Sequence, residues 1–557
     1  MVVSVGSSVA HSTTVPVAPL KQTANAKAGD TAAIEPVKSP ADRSNGTTQH
    51  GVAQTQPTLS PEAFAQLLEQ QQAGQPLDLS GKDLRTVDLS GLDLRGANLA
   101  GANLSGKDLS GFDFTNANLT GANFSGANLT GAQMRDVLFD NADFSNANLQ
   151  DSFFRVAKQF DPTRNLTTRL SIQNVTFEGA DFSGASLERF YLSNSNVRDA
   201  TFDGANLFRA FFRDGTDLRG ADFQGANFDT GTNERGLSIS NGAIITGLDF
   251  SNRALDGLSI GRTSLKDVNF RNSSMSGIIL MHTDLTEADI SGVHDFSNAG
   301  FYETNLSGLD FGGANFSGAR IGAEAANGQL YNGTNFSGAN FAGGNLGFGN
   351  FAQADFAGSR FAGASFIGST FGEGARVDFS GAKTIVGSGF RGVDFSGQNL
   401  AGIRHLIGDF SGANFAGATL AGGDLSGGVF VGANFSGANL EGALAINSDF
   451  SNADLSNANL RGLVTLLVDA GQSLKELQSL SGEDLQSFLQ QRSATRFTNA
   501  NLAGADLSGA SLLGVDFTGA NIAGTNFSNS FLQGANFGGL DLTAALFKGA
   551  NLEATIR

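Results

Sequence analysis

Residues 97–129 read ANLAGANLSGKDLSGFDFTNANLTGANFSGANL, and a Leu or Phe stands on every fifth position of this stretch. A small residue, often Ala, lies two positions before each large one, with Asn or Asp between them. Gly or Asn commonly follows two positions later, so the unit reads A-(N/D)-(L/F)-S-G. Working outward, the same phase covers sixteen consecutive units from Leu79 to Phe154. An internal repeat of this regularity indicates a solenoid-like architecture.

The repeat continues through most of the chain, with interruptions and two slips of a single residue. In the run that starts at Phe296, Ala326 and Tyr331 are weak members at the large-residue position. Counted by phase, the chain carries about 82 units. The further runs are 172–212, 218–228, 245–290, 296–371, 385–460 and 497–552.

A five-residue period matches neither the 3.6-residue turn of an α-helix nor the simple alternation of a flat strand. Each unit is therefore expected to be a short extended piece followed by a corner. Residues two apart in an extended piece share a side, so the large residue and the small residue before it can face the same way. Gly and Asn suit the corners because both tolerate a positive φ.

In these units the chain resembles the pentapeptide-repeat proteins, over roughly residues 77–557. The resemblance implies an all-β solenoid, a right-handed quadrilateral β-helix with four units in each coil and the large residues pointing inward. About 82 units would then form about 20 stacked coils. The core residues predicted in this way include Leu79, Leu99, Leu104, Phe114, Phe124, Phe144, Phe316, Phe336, Phe415, Phe435, Leu502 and Phe517.

The amino-acid composition argues against several kinds of functional site. The 557 residues include 74 Gly and 47 Phe but no Cys, which excludes disulfides, thiol nucleophiles and Cys-ligated metal sites. The net charge of −18 disfavours direct binding to nucleic acid or anionic lipid, since both need clustered positive charge. The sequence has no run of about 18 apolar residues, so no transmembrane segment is expected. The N-terminus also lacks the apolar stretch of a classical signal peptide.

Outside the repeat, residues 1–58 have no apolar periodicity and predict a disordered leader rich in Ser and Thr. Ser60-Pro61-Glu62 is typical of a helix start, so residues 59–76 are predicted to form a helical cap over the first coil. Loops projecting from a rigid scaffold often carry function. The solenoid is predicted over 77–463, with loops near 156–170, 229–243 and 372–383.

The segment 464–496 departs from the repeat and is predicted to be a helical insertion, followed by a terminal repeat module at 497–557. Two alternatives stay open for it. The segment is either a helical loop bulging from a continuous solenoid, or a second cap that opens a module able to hinge. Its apolar side chains could also form a partner-binding helix face. The candidate partner-binding residues are Leu474, Leu477, Leu485 and Phe488.

The sequence offers little support for catalysis. The five His residues show no metal-ligand spacing such as H-E-x-x-H. His405 falls on a large-residue position, but a local slip that turns Leu406 inward explains this more simply. Asp precedes many core positions and alternates there with Asn, as a corner residue would. We therefore expect no catalytic, cofactor-binding or metal-binding residues, no cofactor and no enzymatic activity. An enzyme built on a β-helix would need clustered catalytic side chains.

The sequence favours a non-enzymatic bacterial scaffold that binds protein partners. The Ser/Thr-rich leader at 1–58 is similar in composition to type III secretion leaders, which favours a type III-like secreted effector. The protein would stay in the bacterial cytoplasm or be exported without a classical signal peptide. The identity of the partner and the oligomeric state stay open.

The alternative function is DNA mimicry. The family resemblance implies that an acidic rod could bind DNA gyrase or another DNA-binding protein in place of DNA. Electrostatic mimicry needs Asp and Glu concentrated along one side of the rod. Arg residues such as Arg189, Arg198 and Arg209 dilute the acidity.

Overall fold

The chain divides into two units in the computed structural model, Met1–Thr55 and Gln56–Arg557. All residues that the structure describes belong to the second unit. The predicted leader therefore lies outside the described residues. Those residues are 60–155, 158–161, 166–169, 172–228, 236–322, 331, 333–372, 375, 377–387, 389–466 and 495–557.

The second unit begins with a helix, α1, over Pro61–Gln72. Ser60 is its N-cap, and the Ser60 hydroxyl accepts a hydrogen bond from the backbone N–H of Ala63 at 3.2 Å. Leu67 is buried in the core, and Phe64 and Leu68 pack against it. The helix thus starts where the sequence predicts and covers apolar surface of the core, as a cap should. The boundaries of the cap at 59–76 stay a prediction.

The rest of the described chain is a parallel β-solenoid. Asp78 bridges to Asn98, and Asn98 bridges to Asn118, so equivalent positions recur every 20 residues. Because each unit has five residues, one coil holds four units. The backbone N–H of Leu99 donates to the carbonyl of Asn118 at 2.8 Å, and bonds of this kind join successive coils. The predicted fold class, a quadrilateral β-helix, is confirmed.

Most coil-to-coil pairings are single bridges, and longer strands form on a few sides of the coils. Strands β1 (Gln133–Arg135) and β2 (Phe153–Arg155) form a parallel pair. Strands β3 (Lys158–Asp161) and β4 (Leu166–Arg169) form an antiparallel hairpin. An eight-stranded parallel sheet contains β5 (Ile172–Gln173), β6 (Tyr191–Ser193), β7 (Phe211–Arg213), β8 (Ser238–Ser240), β9 (Ser259–Gly261), β10 (Ile279–Met281), β11 (Gly300–Tyr302) and β12 (Arg320–Gly322). A three-stranded sheet contains β13 (Ser365–Ile367), β14 (Thr384–Gly387) and β15 (His405–Gly408).

The large residue of each unit points into the coil. All twelve core residues named from the sequence, from Leu79 to Phe517, have no exposed surface. Phe415 stacks on Phe395 with ring centroids 4.7 Å apart, and on Phe435 at 4.6 Å, with nearly parallel rings. Each side chain is therefore buried by its equivalents in the coils before and after it. This gives a continuous apolar column.

The corners use left-handed backbone. Gly417, for example, has φ 65° and open space around its Cα. Asn116 takes the same role with φ 62°. Left-handed backbone costs little for Gly and is tolerated by Asn, which explains the Gly or Asn that follows each large residue by two positions.

Three predicted loops are described in part. The 33-residue spacing from Asp143 to Thr176 shows that the chain leaves the coil there, and the predicted loop at 156–170 contains the hairpin β3–β4. The loop predicted at 229–243 is too long. Strand β8 has already rejoined the solenoid, with Leu237 and Ile239 buried. Ile239 lies one residue out of the five-residue phase, which hid this coil from the pattern.

The loop predicted at 372–383 is also too long, because Val377, Phe379 and Ala382 are buried in the core. A different break was missed. Asp310 bridges to Asn335, a spacing of 25 residues, so one coil is five residues longer than its neighbours. Ala326, counted from the sequence as a core position, lies in the segment 323–330, outside the described residues.

The solenoid continues across the predicted insertion at 464–496. Asp454 bridges to Asn501, a spacing of 47 residues, and the rings of Phe450 and Phe497 stack at 5.0 Å. Coils on both sides of the insertion are thus directly paired, which contradicts a hinge at this point. The candidate residues Leu474, Leu477, Leu485 and Phe488 lie outside the described residues.

At the large-residue position that holds His405, Leu406 is buried and His405 is exposed, as expected.

The stacked column predicts a large local cost for removing one ring. Phe415→Ala should lower the free energy of unfolding by about 3–5 kcal/mol, because it deletes a fully buried ring between two others. The matched control is Leu138→Ala, since Leu138 is 51% exposed and its change should stay within about 0.5 kcal/mol. Urea denaturation followed by circular dichroism measures both. Equal midpoints for the two variants would contradict the inward placement of Phe415.

Candidate functional site

One side of the solenoid departs from the small and polar surface of the regular coils. Seven large hydrophobic side chains are exposed among the described residues. Three of them, Tyr302, Phe348 and Ile367, lie on the same side, in the region formed by β11 to β13. The backbone N–H of Phe348 donates to the carbonyl of Ile367 at 2.8 Å, so these two lie in adjacent coils. Scattered exposed residues need no explanation, but a cluster indicates a contact surface.

Tyr302 and Phe348 border a groove of about 470 Å³. We call it the Phe348 groove. It crosses four stacked coils, because β10, β11 and β12 pair in succession and Arg320 of β12 bridges to Asn345 of the next coil. Its lining is Met281, His282, Tyr302, Glu303, Arg320, Ile321, Gly322, Asn345, Gly347 and Phe348.

Glycines keep the groove open. A Cβ on Gly322 would lie 2.3 Å from the carbonyl oxygen of Gly347, so no larger residue fits there without a backbone shift. Gly300 leaves room for the ring of Tyr302, whose Cε2 would be 2.7 Å from an added Cβ. The floor is therefore backbone, and the side chains of Tyr302 and Phe348 stand above it as walls.

Phe348 has an unfavourable backbone conformation. Its φ is 60°, and the other non-glycine residues with positive φ in the described chain are Asn, Asp, Arg, His, Glu or Ala. A left-handed conformation costs a residue with a Cβ about 1–2 kcal/mol. Phe348 recovers little of this by burial, because its side chain is 60% exposed. A strained and exposed aromatic residue is typical of a functional contact.

The groove carries one His–Glu contact and one Arg side chain. The Nδ1 of His282 lies 2.8 Å from the Glu303 Oε2, and both residues occupy left-handed corners. Arg320 is exposed and forms no ion pair or side-chain hydrogen bond with any described residue. The Glu303 carboxylate is therefore in contact with His282 within the groove, whereas the Arg320 guanidinium has no anionic partner among the residues that the structure describes.

Tyr331 lies beneath this region. It is buried, and its ring stacks on Phe351 with centroids 5.0 Å apart. Burial, and then the nearby charge of Glu303, raise the pKa of its phenol well above the usual value. Tyr331 therefore stays neutral at ordinary pH and packs in the core, and it is not among the lining residues of the groove.

The acidity of the surface is arranged in ladders. Ser110 donates its backbone N–H to the Asp108 Oδ1 at 3.1 Å, and the side-chain amide of Asn128, one coil later, donates to the same atom at 2.9 Å. The N–H and hydroxyl of Ser110 hold the pKa of Asp108 below its usual range. Neutral members separate the acidic ones along this ladder, which runs Asp108, Asn128, Asn148, Asp181, Thr201 and Asp222.

Basic side chains also interrupt the acidic ladders. Arg253 Nη2 lies 3.0 Å from Asp222 Oδ1, and Arg219 forms an ion pair with Asp217. Such pairs reduce the local negative potential.

Two further observations concern metal sites and membrane-spanning helices. No three His, Asp or Glu side chains come together as a metal site within the described ranges. In the same part of the chain, no helix is long and apolar enough to cross a membrane.

Reasoning from the sequence missed the groove. None of its lining residues was singled out, and the candidates that were named at 474–488 lie outside the described residues. A signal was present at Leu346-Gly347-Phe348, where Phe stands two positions after a core Leu. That position holds Gly or Asn in the regular unit, so a large apolar residue there predicts an exposed corner.

The sequence model of the family described as "Pentapeptide repeats (8 copies)" matches more than half of the chain. The chain belongs to the pentapeptide-repeat family. The count of about 82 units exceeds the eight copies that this comparison recognises, and is an overstatement by that measure. The matched residues are 78–106, 97–136, 117–155, 177–214, 263–294, 294–318, 334–372, 409–444, 429–462 and 495–534.

Several solved structures of pentapeptide-repeat proteins are similar. A protein from the Arabidopsis thaliana thylakoid lumen is 28% identical, over 21% of this chain and 69% of that one, with a TM-score of 0.15. QnrB1, a plasmid-mediated fluoroquinolone resistance protein, is 15% identical over 48% and 93%, with a TM-score of 0.12. HetL of the cyanobacterium Nostoc sp. strain PCC 7120, involved in heterocyst differentiation regulation, is 17% identical over 64% and 89%, with a TM-score of 0.08. No curated protein matches the chain.

The hydrogen-bonded Asp residues predict how stability depends on pH. Serines two residues later donate to Asp78, Asp88 and Asp108 and lower the pKa of each. A lowered folded-state pKa gives stability that is present above the unfolded pKa, near 3.9, and is lost as pH falls through the folded value. The triple change Asp78→Asn, Asp88→Asn and Asp108→Asn should therefore flatten the loss of stability between about pH 5 and 3.

Thermal unfolding across this pH range measures the effect. Asn keeps an oxygen acceptor at each position, so the bonds from the serines can persist in the variant. An equally steep or steeper loss in the variant would show that these three carboxylates do not contribute.

Proposed function

We propose that this protein is a non-enzymatic scaffold that binds other proteins through the Phe348 groove. The observation that carries the proposal is Phe348 itself, a residue held in a strained conformation with most of its ring in solvent. Tyr302 and Phe348 supply rigid aromatic area, which is the kind of surface that dominates binding energy at protein interfaces. The stacked coils below hold both side chains at fixed positions.

A rigid solenoid suits such a role. Each coil pairs with its neighbours through backbone hydrogen bonds, so the surface needs little reorganisation on binding. The exposed side chain of Ile367, in the coil next to Phe348, extends the apolar surface beyond the groove. Pentapeptide-repeat proteins are in general structural or binding scaffolds, which supports this role.

The proposal extends to export. We place the protein among bacterial effectors that act on a partner outside the producing cell, because residues 1–58 resemble a type III-like secretion leader in composition. A reporter enzyme fused to residues 1–58 should be released by a bacterium with a type III secretion system, and not by a mutant that lacks the system. Retention of the reporter in both strains would contradict export.

The alternative is an acidic mimic of DNA that binds DNA gyrase or another DNA-binding protein. The ladder from Asp108 to Asp222 gives it some support, because carboxylates recur along one side of the coils. Neutral members and ion pairs such as Arg253–Asp222 weaken the field, which favours the groove as the contact surface. Gyrase supercoiling that is unaffected by an excess of the protein would exclude this alternative for gyrase.

The groove predicts a specific loss of binding. The purified full-length chain is used to select peptides from a displayed random library, and each selected peptide is then measured on two variants. Phe348→Ser should weaken binding about 10-fold or more, because it removes one of the two aromatic side chains that border the groove. Leu138→Ser is the matched control, since Leu138 is also exposed but lies away from the groove, and it should bind as the wild type does.

Circular dichroism first establishes that both variants are folded. Selected peptides that bind Phe348→Ser as tightly as the wild type would contradict the proposal. The absence of any enriched peptide on the wild-type chain would also count against it.

A further inference from the structure

The charge of the Phe348 groove differs from that of the whole chain. The net charge is −18, yet among the described lining residues the charged side chain without an ionic partner is Arg320. Glu303 is the acidic residue among the described lining residues, and the Nδ1 of His282 lies 2.8 Å from its Oε2. A ligand that enters the groove therefore meets the unpaired guanidinium of Arg320 beside an apolar surface, with the Glu303 carboxylate already in contact with His282.

From this arrangement we infer that the groove selects an extended protein segment with a carboxylate next to a large apolar side chain. The inference rests on the proposed function and names the chemistry of the partner. Arg320 would pair with the carboxylate through its planar fork of N–H donors, which matches a carboxylate in two-point geometry. Tyr302, Phe348 and the adaptable side chain of Met281 would hold the apolar group.

The dimensions agree with an extended segment. The groove crosses four coils, and neighbouring coils lie about 4.8 Å apart, which gives about 14 Å from the first to the last. A segment of about four residues in extended conformation covers this distance at about 3.3 Å per residue. Adjacent side chains of an extended segment point to opposite sides, so a segment that lies edge-on in the groove can direct one side chain to Arg320 and its neighbour to Phe348.

A carboxylate fits better than a phosphate. Recognition of phosphorylated segments uses clusters of Arg side chains, which together neutralise the double charge. Here one Arg is available, and the second basic group, His282, is already paired with Glu303. The long-range field of the acidic chain also disfavours a doubly charged ligand more than a singly charged one, although salt screens this field within about 8–10 Å.

The probes are capped, fluorescently labelled peptides of sequence Ser-Leu-Xaa-Phe-Ser, in which Xaa is Glu, Gln, Lys or phosphoserine. Fluorescence anisotropy measures their affinity for the full-length chain. The Glu peptide should bind about 10-fold more tightly than the Gln peptide, as expected for one charge-assisted pair at a partly exposed site. The Lys peptide should bind most weakly.

Two variants of Arg320 test the origin of this preference. Arg320→Gln should remove the preference for Glu over Gln and leave the affinity of the Gln peptide unchanged. Arg320→Glu should reverse the order, so that the Lys peptide binds best. The matched control is Arg360→Gln, because Arg360 is exposed, lies outside the groove and contributes the same charge to the chain. This control should keep the wild-type order.

The outcomes separate the inference from the proposed function. A Glu-to-Gln ratio that is unchanged in Arg320→Gln, in peptides whose binding is still lost in Phe348→Ser, overturns the inference alone. Peptide binding that is insensitive to Phe348→Ser overturns the proposed function as well. Tighter binding of the phosphoserine peptide, or no detectable binding of the Glu peptide to the wild type, also overturns the inference. So does a dimer in analytical ultracentrifugation that Phe348→Ser dissociates, because the occupant is then a second copy of the chain.

Discussion

The structure depends on the stacking of each inward side chain on its equivalents in the neighbouring coils. Phe395, Phe415 and Phe435 show the arrangement, with rings less than 5 Å apart at 20-residue intervals. The same interval sets the backbone hydrogen bonds, so packing and pairing reinforce one another. Apolar burial drives the coil together, and the ladder satisfies the backbone groups that burial removes from water. Neither would be sufficient without the other.

This constraint acts on inward positions and leaves the outward ones free. A coil can therefore carry additional residues if the chain returns to the same register, as it does after 47 residues between Asp454 and Asn501. The same freedom permits Phe348 at a corner where most coils have Gly or Asn. Function can then be added to the solenoid at single corners, because a change there leaves the apolar column intact.

The sequence predicts what the constraint dictates. The five-residue phase identified the buried residues from Leu79 onward, and Ser60 identified the start of the helix. The five-residue phase failed where the register changes, as at Ile239, which is buried one residue out of phase. The five-residue period does not predict the groove, because Arg320 pairs with the coil that contains Phe348 across a spacing of 25 residues. A regular 20-residue coil would have placed Arg320 beside Asn340, so proximity depended on a break that periodicity cannot locate.

The most direct test is the solvent exposure of successive positions in the coil of Phe348. The chain has no Cys, so single Cys variants at Leu346, Phe348 and Phe351 report one position each when a maleimide is added. Leu346 and Phe351 are buried and Phe348 is exposed. Labelling at 348 should approach the rate of the unfolded chain, and labelling at 346 and 351 should be slower by about 100-fold or more. Equal rates at the three positions, or faster labelling at 346, would contradict the register on which both the solenoid and the groove depend.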